Sequence, residues 1–509
     1  MLDLGTSFIA SVERDPGALA IAEGDRTLTY ADWFIRISAL VDGLGQMGLR
    51  KGDTLVTAMQ NRWENASLHW ACQLAGIVIT PVNWRVTADE LDHALRDSAA
   101  RVLVHDDAAA EAVAGSALVS GLTVLTLHGD HGLAAMLSGR APDALPQAGP
   151  EDLSVMLYTS GTTSKPKGVP RRHRAERAAA IAHVAQNMYG NGERTLGVMP
   201  LYHTMGIRSL LSASVIGGAF ICLPRFDPPG ALAAIERHGV TNLYLVPTLY
   251  HDIVHHADFT PSRVASVRKL GFAGASMTDG LLRKLADAFK PDLFVNHYGS
   301  SEIYTFSICQ DAAAKPGSAG RAAINQRLRI VPLGAADASQ TCAPGEEGEI
   351  VAAMQGDEAF EGYWNRPEAD RKAIRDGWYF TGDCGLFDED GDLFVTGRTD
   401  DMIITGGENV SPVEVESCLS LHPGVAEVAV VGLPDPRWGK IVTAFVRRDG
   451  TVTEDELDAH CRNSDLSNFR RPRRYVFVRE IPKSPVGKLL RRLLVAGDYE
   501  AEPTQNTPA

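Results

Sequence analysis

Hydroxyls, glycines and two lysines crowd one stretch of the chain, Tyr158-Thr-Ser-Gly-Thr-Thr-Ser-Lys-Pro-Lys-Gly168, directly after the apolar-rich segment Leu153-Ser-Val-Met-Leu-Tyr158. A strand that runs out into Ser/Thr donors, exposed backbone N–H groups and mobile positive charge suits a polyphosphate. Thr159, Ser160, Gly161, Thr162, Thr163 and Lys167 are therefore read as the phosphate-facing residues. The common P-loop needs Gly-x-x-x-x-Gly-Lys-Ser/Thr, whereas here Pro166 separates the lysines and Val169 follows Gly168. A flexible linker has a similar composition. The apolar run in front and the stiff Lys-Pro-Lys argue against one.

Further groups follow in order. Met199-Pro-Leu-Tyr-His-Thr-Met-Gly206 places His203 at the end of an expected strand; taken alone, such a histidine is a packed or surface residue. Gly274, Ala275 and Ser276 are small enough for a flat ring to approach the backbone, although a tight turn needs the same residues. In Asn296-His-Tyr-Gly-Ser-Ser-Glu302, Tyr298 can stack on a purine and Ser301 can donate to a phosphate. Glu302 can hold Mg²⁺, because a hard dication prefers carboxylate and phosphate oxygens. Asp383, in Trp378-Tyr-Phe-Thr-Gly-Asp383, can accept both hydroxyls of a ribose, and Arg398 adds a fork of donors toward the sugar or phosphate. Gly406 and Gly407 let a narrow ligand pass close to the backbone. Lys488 closes the motif Lys483-Ser-Pro-Val-Gly-Lys488 in a basic tail.

These motifs, in this order, resemble those of the adenylate-forming enzymes, the superfamily of acyl- and aryl-CoA ligases. The resemblance covers nearly the whole chain and is greatest to bacterial 4-chlorobenzoate and benzoate-type ligases, through Phe272-Ala-Gly-Ala-Ser-Met277, Asp400-Asp-Met-Ile-Ile-Thr-Gly-Gly-Glu-Asn409, Arg437-Trp-Gly439 and Phe469-Arg-Arg-Pro-Arg-Arg-Tyr475. It implies ATP, Mg²⁺ and coenzyme A as partners of a small carboxylic acid. It places His203, Ser301, Glu302 and Lys488 in catalysis, with Glu302 at the metal. The phosphate loop, Gly274, Ala275, Ser276, His297, Tyr298, Gly299, Asp383 and Arg398 fall at ATP, and Asp400 at a hinge between domains 1–399 and 400–509. Gly406, Gly407, Trp438, Arg471 and Arg473 fall at CoA. Ser164 departs from the family, which usually has glycine there.

The candidate acid pocket, Ile181, His203, Thr204, Met205, Ala275, Ile303, Tyr304 and Phe306, fits a compact aromatic acid. An alicyclic or short- to medium-chain aliphatic acid is the alternative. A non-CoA acceptor and an inactive nucleotide-binding protein are weaker ones, the latter because Glu302 and Lys488 are both present. Arg208 is read as facing solvent or a neighbouring loop, with a second anionic group on the substrate as its other use.

The elements that must position these residues alternate between helical and strand patterns, which favours a layered α/β fold: a large multi-lobed N-terminal domain and a small, mobile α+β C-terminal one. Thr27-Leu-Thr-Tyr-Ala-Asp-Trp33 is expected to start a helix through Leu44, Ala66–Ala75 to form a buried helix, and Leu55–Met59, Ile77–Val82, Val102–His105 and Leu122–Leu127 to be strands. Ala108–Ala117 and Gly139–Pro150 are expected to be connections. At 509 residues the chain exceeds one core. A net charge of −14 argues against nucleic acid or an anionic membrane as partner. Seven cysteines without a Cys-x-x-Cys pair, and no basic–apolar leader, predict a cytoplasmic enzyme without a zinc site, monomeric or homodimeric.

Overall fold

The computed structural model describes residues 2–159, 166–399, 401–464, 466–484 and 489–502. Three sheets organise them. The first runs Thr123–Thr126, Val102–His105, Thr54–Ala58, Val78–Pro81, Leu153–Thr159 and Lys167–Arg172, parallel except for its last pair, an antiparallel hairpin in which Thr159 faces Lys167. The second has a parallel centre, Ala219–Cys222, Arg194–Gly197, Asn242–Leu245, Lys269–Phe272 and Leu293–Tyr298. It continues antiparallel through Ser307–Cys309 and Ser318–Ala322 to Leu393–Arg398, Trp378–Phe387, Gly348–Ala353 and Leu328–Val331.

Two helices that are buried almost all round, their polar residues included, join these layers. Trp63–Ala75 touches Val78–Pro81 of the first sheet and Leu19–Glu23 of the second. Thr204–Val215 packs on the second sheet and on His173–Gln186, which itself lies against the hairpin. A helix with no solvent-exposed face needs cover on every side, and a position between two sheets supplies it. Phe8, Trp33 and Trp70 fill this core, the Phe8 and Trp70 rings stacking at 4.6 Å. The third sheet, Glu408–Val410, Ile403–Thr405, Gly439–Arg448, Val425–Asp435 and Arg474–Phe477, has cores of its own around Val430 and Phe445. Its helix Pro412–Ser420 meets Asp279–Phe289 of the large part.

Most expected elements form within a residue or two. The first long helix is Tyr30–Gln46, capped by Thr29, whose hydroxyl accepts the Asp32 N–H. Ala108–Ala117 differs from expectation: Asp106 accepts the Ala108 N–H and starts a 3₁₀ turn, Asp107–Ala109, that leads into a helix, Ala110–Gly115, with Ala109 and Val113 buried against Leu91. No helix among the described residues is long and apolar enough to cross a membrane.

The buried imidazoles of this core give it an acid limit. His173 is enclosed and its Nδ1 accepts the Leu4 N–H at 3.3 Å, which requires the unprotonated nitrogen. Burial lowers its pKa to about 4, and that of the enclosed His69 to about 3. In the unfolded chain both titrate near ~6.5, so between those values the unfolded state binds more protons and stability rises with pH. Urea midpoints should therefore fall as pH is lowered from about 6.5 toward 4, and His173→Gln should make that slope shallower. Identical slopes in the two proteins would clear His173 of this role.

Candidate active site

At one end of the site, Asp383 and Arg398 face each other across the antiparallel pair Trp378–Phe387 and Leu393–Arg398. Arg398 Nη1 donates to Asp383 Oδ1 at 2.9 Å, and the Tyr298 hydroxyl donates to Oδ2 at 2.6 Å. Burial and the Asp383 charge together drive the Tyr298 phenol well above its ordinary pKa, so it stays a donor. Gly382 has φ +72°, and a Cβ there would lie 3.1 Å from Arg398 Nη2. Gly299 is required more strictly, since a Cβ would sit 2.1 Å from the Tyr304 carbonyl oxygen. Sequence-expected Tyr298, Gly299, Asp383 and Arg398 thus come together. His297 does not join them: one residue along the strand, it turns to the opposite face, where its Nε2 meets Asn187 Oδ1 at 3.1 Å.

The phosphate-type hairpin is fixed at its base. Tyr158 donates to Asp97 Oδ2 at 2.9 Å, His93 Nε2 lies 2.8 Å from the Pro166 carbonyl, and the Trp364 N–H donates to the Gly168 carbonyl at 2.9 Å. Ser160, Gly161, Thr162, Thr163 and Ser164 lie outside the described residues, while Thr159 and Lys167 frame them. Lys167 Nζ stands 4.0 Å from the centre of the Tyr363 ring, and the Tyr363 hydroxyl donates to Glu302 Oε1 at 2.7 Å. The second lysine of the loop and the acid expected at the metal therefore share one tyrosine, which the sequence did not mark. Glu302 is buried, makes no ion pair with a described Lys or Arg, and keeps oxygen donors of the hard type that Mg²⁺ takes. Ser301 is half-buried beside it.

On the acid-binding side, His203 caps the helix Thr204–Val215, its Nδ1 accepting the Met205 N–H at 3.3 Å; the strand before it ends earlier, at Gly197. Thr204 and Met205 are buried in the first turn. Gly274 has φ +82° and is exposed, Ala275 is half-buried and Ser276 exposed, which leaves this turn open to a ligand.

Several expected pocket residues are placed elsewhere. Ile303 and Phe306 lie in the connection between Leu293–Tyr298 and Ser307–Cys309 and belong to a core with Val169, Ala359 and Phe360, Ile303 bridging Ala359. Tyr304 donates to Glu176 Oε2 at 3.1 Å and lies under the Arg171 guanidinium. Ile181 is 39% exposed on the outer face of its helix. Arg208 is no surface residue: it is 2% exposed and binds the neighbouring segment through the Tyr304 carbonyl and Thr305 Oγ1.

In the third sheet, Gly406 and Gly407 form the turn of the hairpin Ile403–Thr405 and Glu408–Val410, with φ +61° and +90°. The Gly406 N–H donates to the Trp438 carbonyl at 2.9 Å, and the Arg473 guanidinium lies 4.3 Å from the Trp438 ring centre. Arg471 stands apart, paired with Asp458 at 2.8 Å. Asp400 and Lys488 lie outside the described residues. The flanks of Lys488 are tied down: Lys483 pairs with Glu427 at 2.5 Å and Arg491 with Glu416 at 2.8 Å.

Known proteins are similar to this chain over nearly its whole length. The profile of the AMP-binding enzyme family matches residues 8–364, and that of the AMP-binding enzyme C-terminal domain matches residues 414–488. A 4-chlorobenzoate–CoA ligase of an Arthrobacter species is 36% identical over 95% of this chain and 93% of its own. A long-chain-fatty-acid–CoA ligase of Mycobacterium tuberculosis is 32% identical over 92% and 93%. The crystal structure of an anthranilate CoA ligase in complex with anthranoyl-AMP superposes with a TM-score of 0.90 at 25% identity, covering 98% of this chain and 97% of that one.

The glycine turn supplies a test of packing. A Cβ on Gly406 would meet the Trp438 ring at 2.8 Å, whereas one on Gly407 meets nothing within 4 Å. Both have positive φ, which costs a non-glycine residue roughly 1 kcal/mol or more. Gly406→Ala should lower the thermal midpoint more than Gly407→Ala and shift Trp438 fluorescence. An equal loss from the two would show that the ring contact contributes nothing.

Proposed function

The chain belongs to the AMP-binding enzyme family and is an acid–CoA ligase that works through an acyl-adenylate with ATP, Mg²⁺ and CoA; from that premise we propose a compact aromatic, benzoate-type carboxylic acid as its substrate. The observation that carries the proposal is the open turn at Gly274, Ala275 and Ser276, whose flanking Ala273 and Met277 share one core with Met205 of the Thr204–Val215 helix, in a chain that is similar over nearly its whole length to a 4-chlorobenzoate ligase. The similarity to a long-chain-fatty-acid ligase keeps an aliphatic acid as the second reading.

A carboxylate is a poor electrophile. Its oxygen attacks the α-phosphorus of ATP, the bond to pyrophosphate breaks, and the resulting acyl-adenylate has a good leaving group. The CoA thiol then attacks the acyl carbon, and AMP departs. In the first step two anions must approach each other. In our assignment Thr159, Ser160, Gly161, Thr162, Thr163 and Lys167 hold the β,γ-phosphates, Ser301 donates to the α-phosphate and Lys488 meets the charge that develops there. Tyr363 orients Glu302, which would hold Mg²⁺; the ion supplies charge neutralisation on the phosphates. Tyr298 stacks on adenine, and Asp383 accepts the ribose hydroxyls with Arg398 beside it. His203 lies between carboxylate and phosphate. For the second step, Gly406 and Gly407 admit the pantetheine arm, while Trp438 and Arg473 receive the nucleotide of CoA. The unit 400–509 turns about Asp400 against 1–399 to exchange Lys488 for this passage.

Pyrophosphate release across benzoate, halobenzoates, cyclohexanecarboxylate and linear acids, with and without CoA, tests the substrate. A ring acid should give the highest kcat/KM and a CoA-dependent thioester. Preference for linear acids would transfer the reading to an aliphatic substrate. Separately, Lys488→Ala should slow adenylation by about 10²–10³-fold, the scale of losing one transition-state donor, while thiolysis of supplied acyl-adenylate stays within a few-fold. Equal losses in both half-reactions would refute the exchange.

A further inference from the structure

Behind the acid-binding side lies a buried polar cluster that the mechanism above does not use. The helix Thr204–Val215 carries Arg208 one turn beyond Thr204, and its guanidinium reaches Thr305 Oγ1 at 2.6 Å, close to Glu302 in the chain. It also bonds the Tyr244 hydroxyl. Packed with Tyr244 are two imidazoles, His183 and His297, whose ring centres lie 4.7 and 5.0 Å from that of Tyr244 and 5.1 Å from each other. His183, His297 and Arg208 are each no more than 2% exposed.

One asparagine fixes the protons. Asn187 Nδ2 donates to the His183 carbonyl at 2.7 Å and lies 3.1 Å from His183 Nδ1, so that nitrogen accepts and His183 carries its proton on Nε2. The amide oxygen of Asn187 then faces His297 Nε2 at 3.1 Å, so His297 carries its proton there and presents a bare Nδ1. Burial, reinforced by the charge of Arg208, holds both imidazoles well below their ordinary pKa and keeps them neutral. Three atoms are left over: Arg208 Nε, His183 Nε2 and His297 Nδ1 have no hydrogen-bond partner among the described residues. Two are donors and one is an acceptor. Each such buried atom costs about 1–3 kcal/mol unless something meets it.

The small group that accepts two hydrogen bonds and donates one is a hydroxyl, that of a buried water or of a ligand that takes its place. A halogen or methyl group would leave the donors unmet, and a carboxylate has no proton for His297. We infer that the acid bears a ring hydroxyl, received between Arg208, His183 and His297. This rests on the aromatic reading above and sharpens it to hydroxylated aromatic acids.

The test compares benzoate with 3- and 4-hydroxybenzoate and with the matching methoxybenzoates on the wild-type enzyme. One hydroxybenzoate should exceed both benzoate and its own methyl ether in kcat/KM by about ten- to hundredfold, as expected for hydrogen bonds to buried and charged partners. Arg208→Met and His183→Leu should each cut the hydroxybenzoate-to-benzoate ratio about tenfold or more. A purely structural role would lower both acids together and leave the ratio unmoved. If benzoate or a methoxybenzoate equals the best hydroxybenzoate, the hydroxyl subsite is wrong while the aromatic reading stands. If only linear acids are turned over, the aromatic reading fails and the subsite with it. Should the variants not fold, the wild-type comparison decides alone.

Discussion

The large part of the molecule depends on one buried ion pair. Arg171, 1% exposed on the strand Lys167–Arg172, donates through Nε to Glu176 Oε1 at 2.7 Å on the helix that follows. Its Nη1 reaches the main-chain carbonyls of Glu302, at 3.0 Å, and Glu358, at 2.6 Å, and its guanidinium covers the Tyr304 ring at 3.9 Å. A guanidinium so far from water is tolerable only when a carboxylate and further acceptors meet it, and breaking such a pair costs roughly 3–5 kcal/mol; here Nη2 alone has no partner among the described residues. The planar fork of arginine is what makes simultaneous ties to a carboxylate and two carbonyls possible. It thereby pins the hairpin that ends in the phosphate-type loop to the backbone of the residue that carries the metal-type carboxylate, across two sheets that share no strand.

Tyr363 completes the same frame from the outside. With Lys167 over its ring and Glu302 on its hydroxyl, it holds a cation and an anion on either side of one rigid group. Neither charge is spent on the other. Asp97 performs the equivalent service at the hairpin base by binding Tyr158, the Trp364 indole through its carbonyl, and Arg366. The described ends of the hairpin are thus anchored by side chains from other lobes.

How much of this the sequence carried depends on how local the cause is. The Thr29 cap, the strand Val102–His105 and the opposition of Asp383 and Arg398 arise from neighbours in sequence or from short antiparallel pairing, and each was legible. The seat of His297 was misread: it was expected at ATP, yet a residue next to Tyr298 on a strand must face the other way, and it meets Asn187 instead. Ile303 and Phe306 were not legible: an apolar residue after Glu302 looks the same whether it lines a pocket or closes a core. The Tyr363–Glu302 bond joins residues 61 apart, and nothing in Glu361-Gly-Tyr-Trp364 announces it. Arg208 misled because an arginine in a helix is usually solvated, and only the packing of Tyr244 and Thr305 shows otherwise.

The third sheet bears on the proposed exchange between the two half-reactions. Its long edge strand, Val425–Asp435, carries Glu427 near one end, where it holds Lys483 at the entrance to the segment of Lys488. At the other end Asp435 Oδ1 accepts the N–H of Trp438 at 2.9 Å, beside Gly406. At about 3.3 Å per residue, those ends are roughly 26 Å apart. The strand pairs along almost its full length with Gly439–Arg448, so it cannot fold back to bring them together. An adenylate-sized site can face one end or the other. That separation is what supports the proposed exchange: for one site to meet both ends, the whole unit has to turn between them.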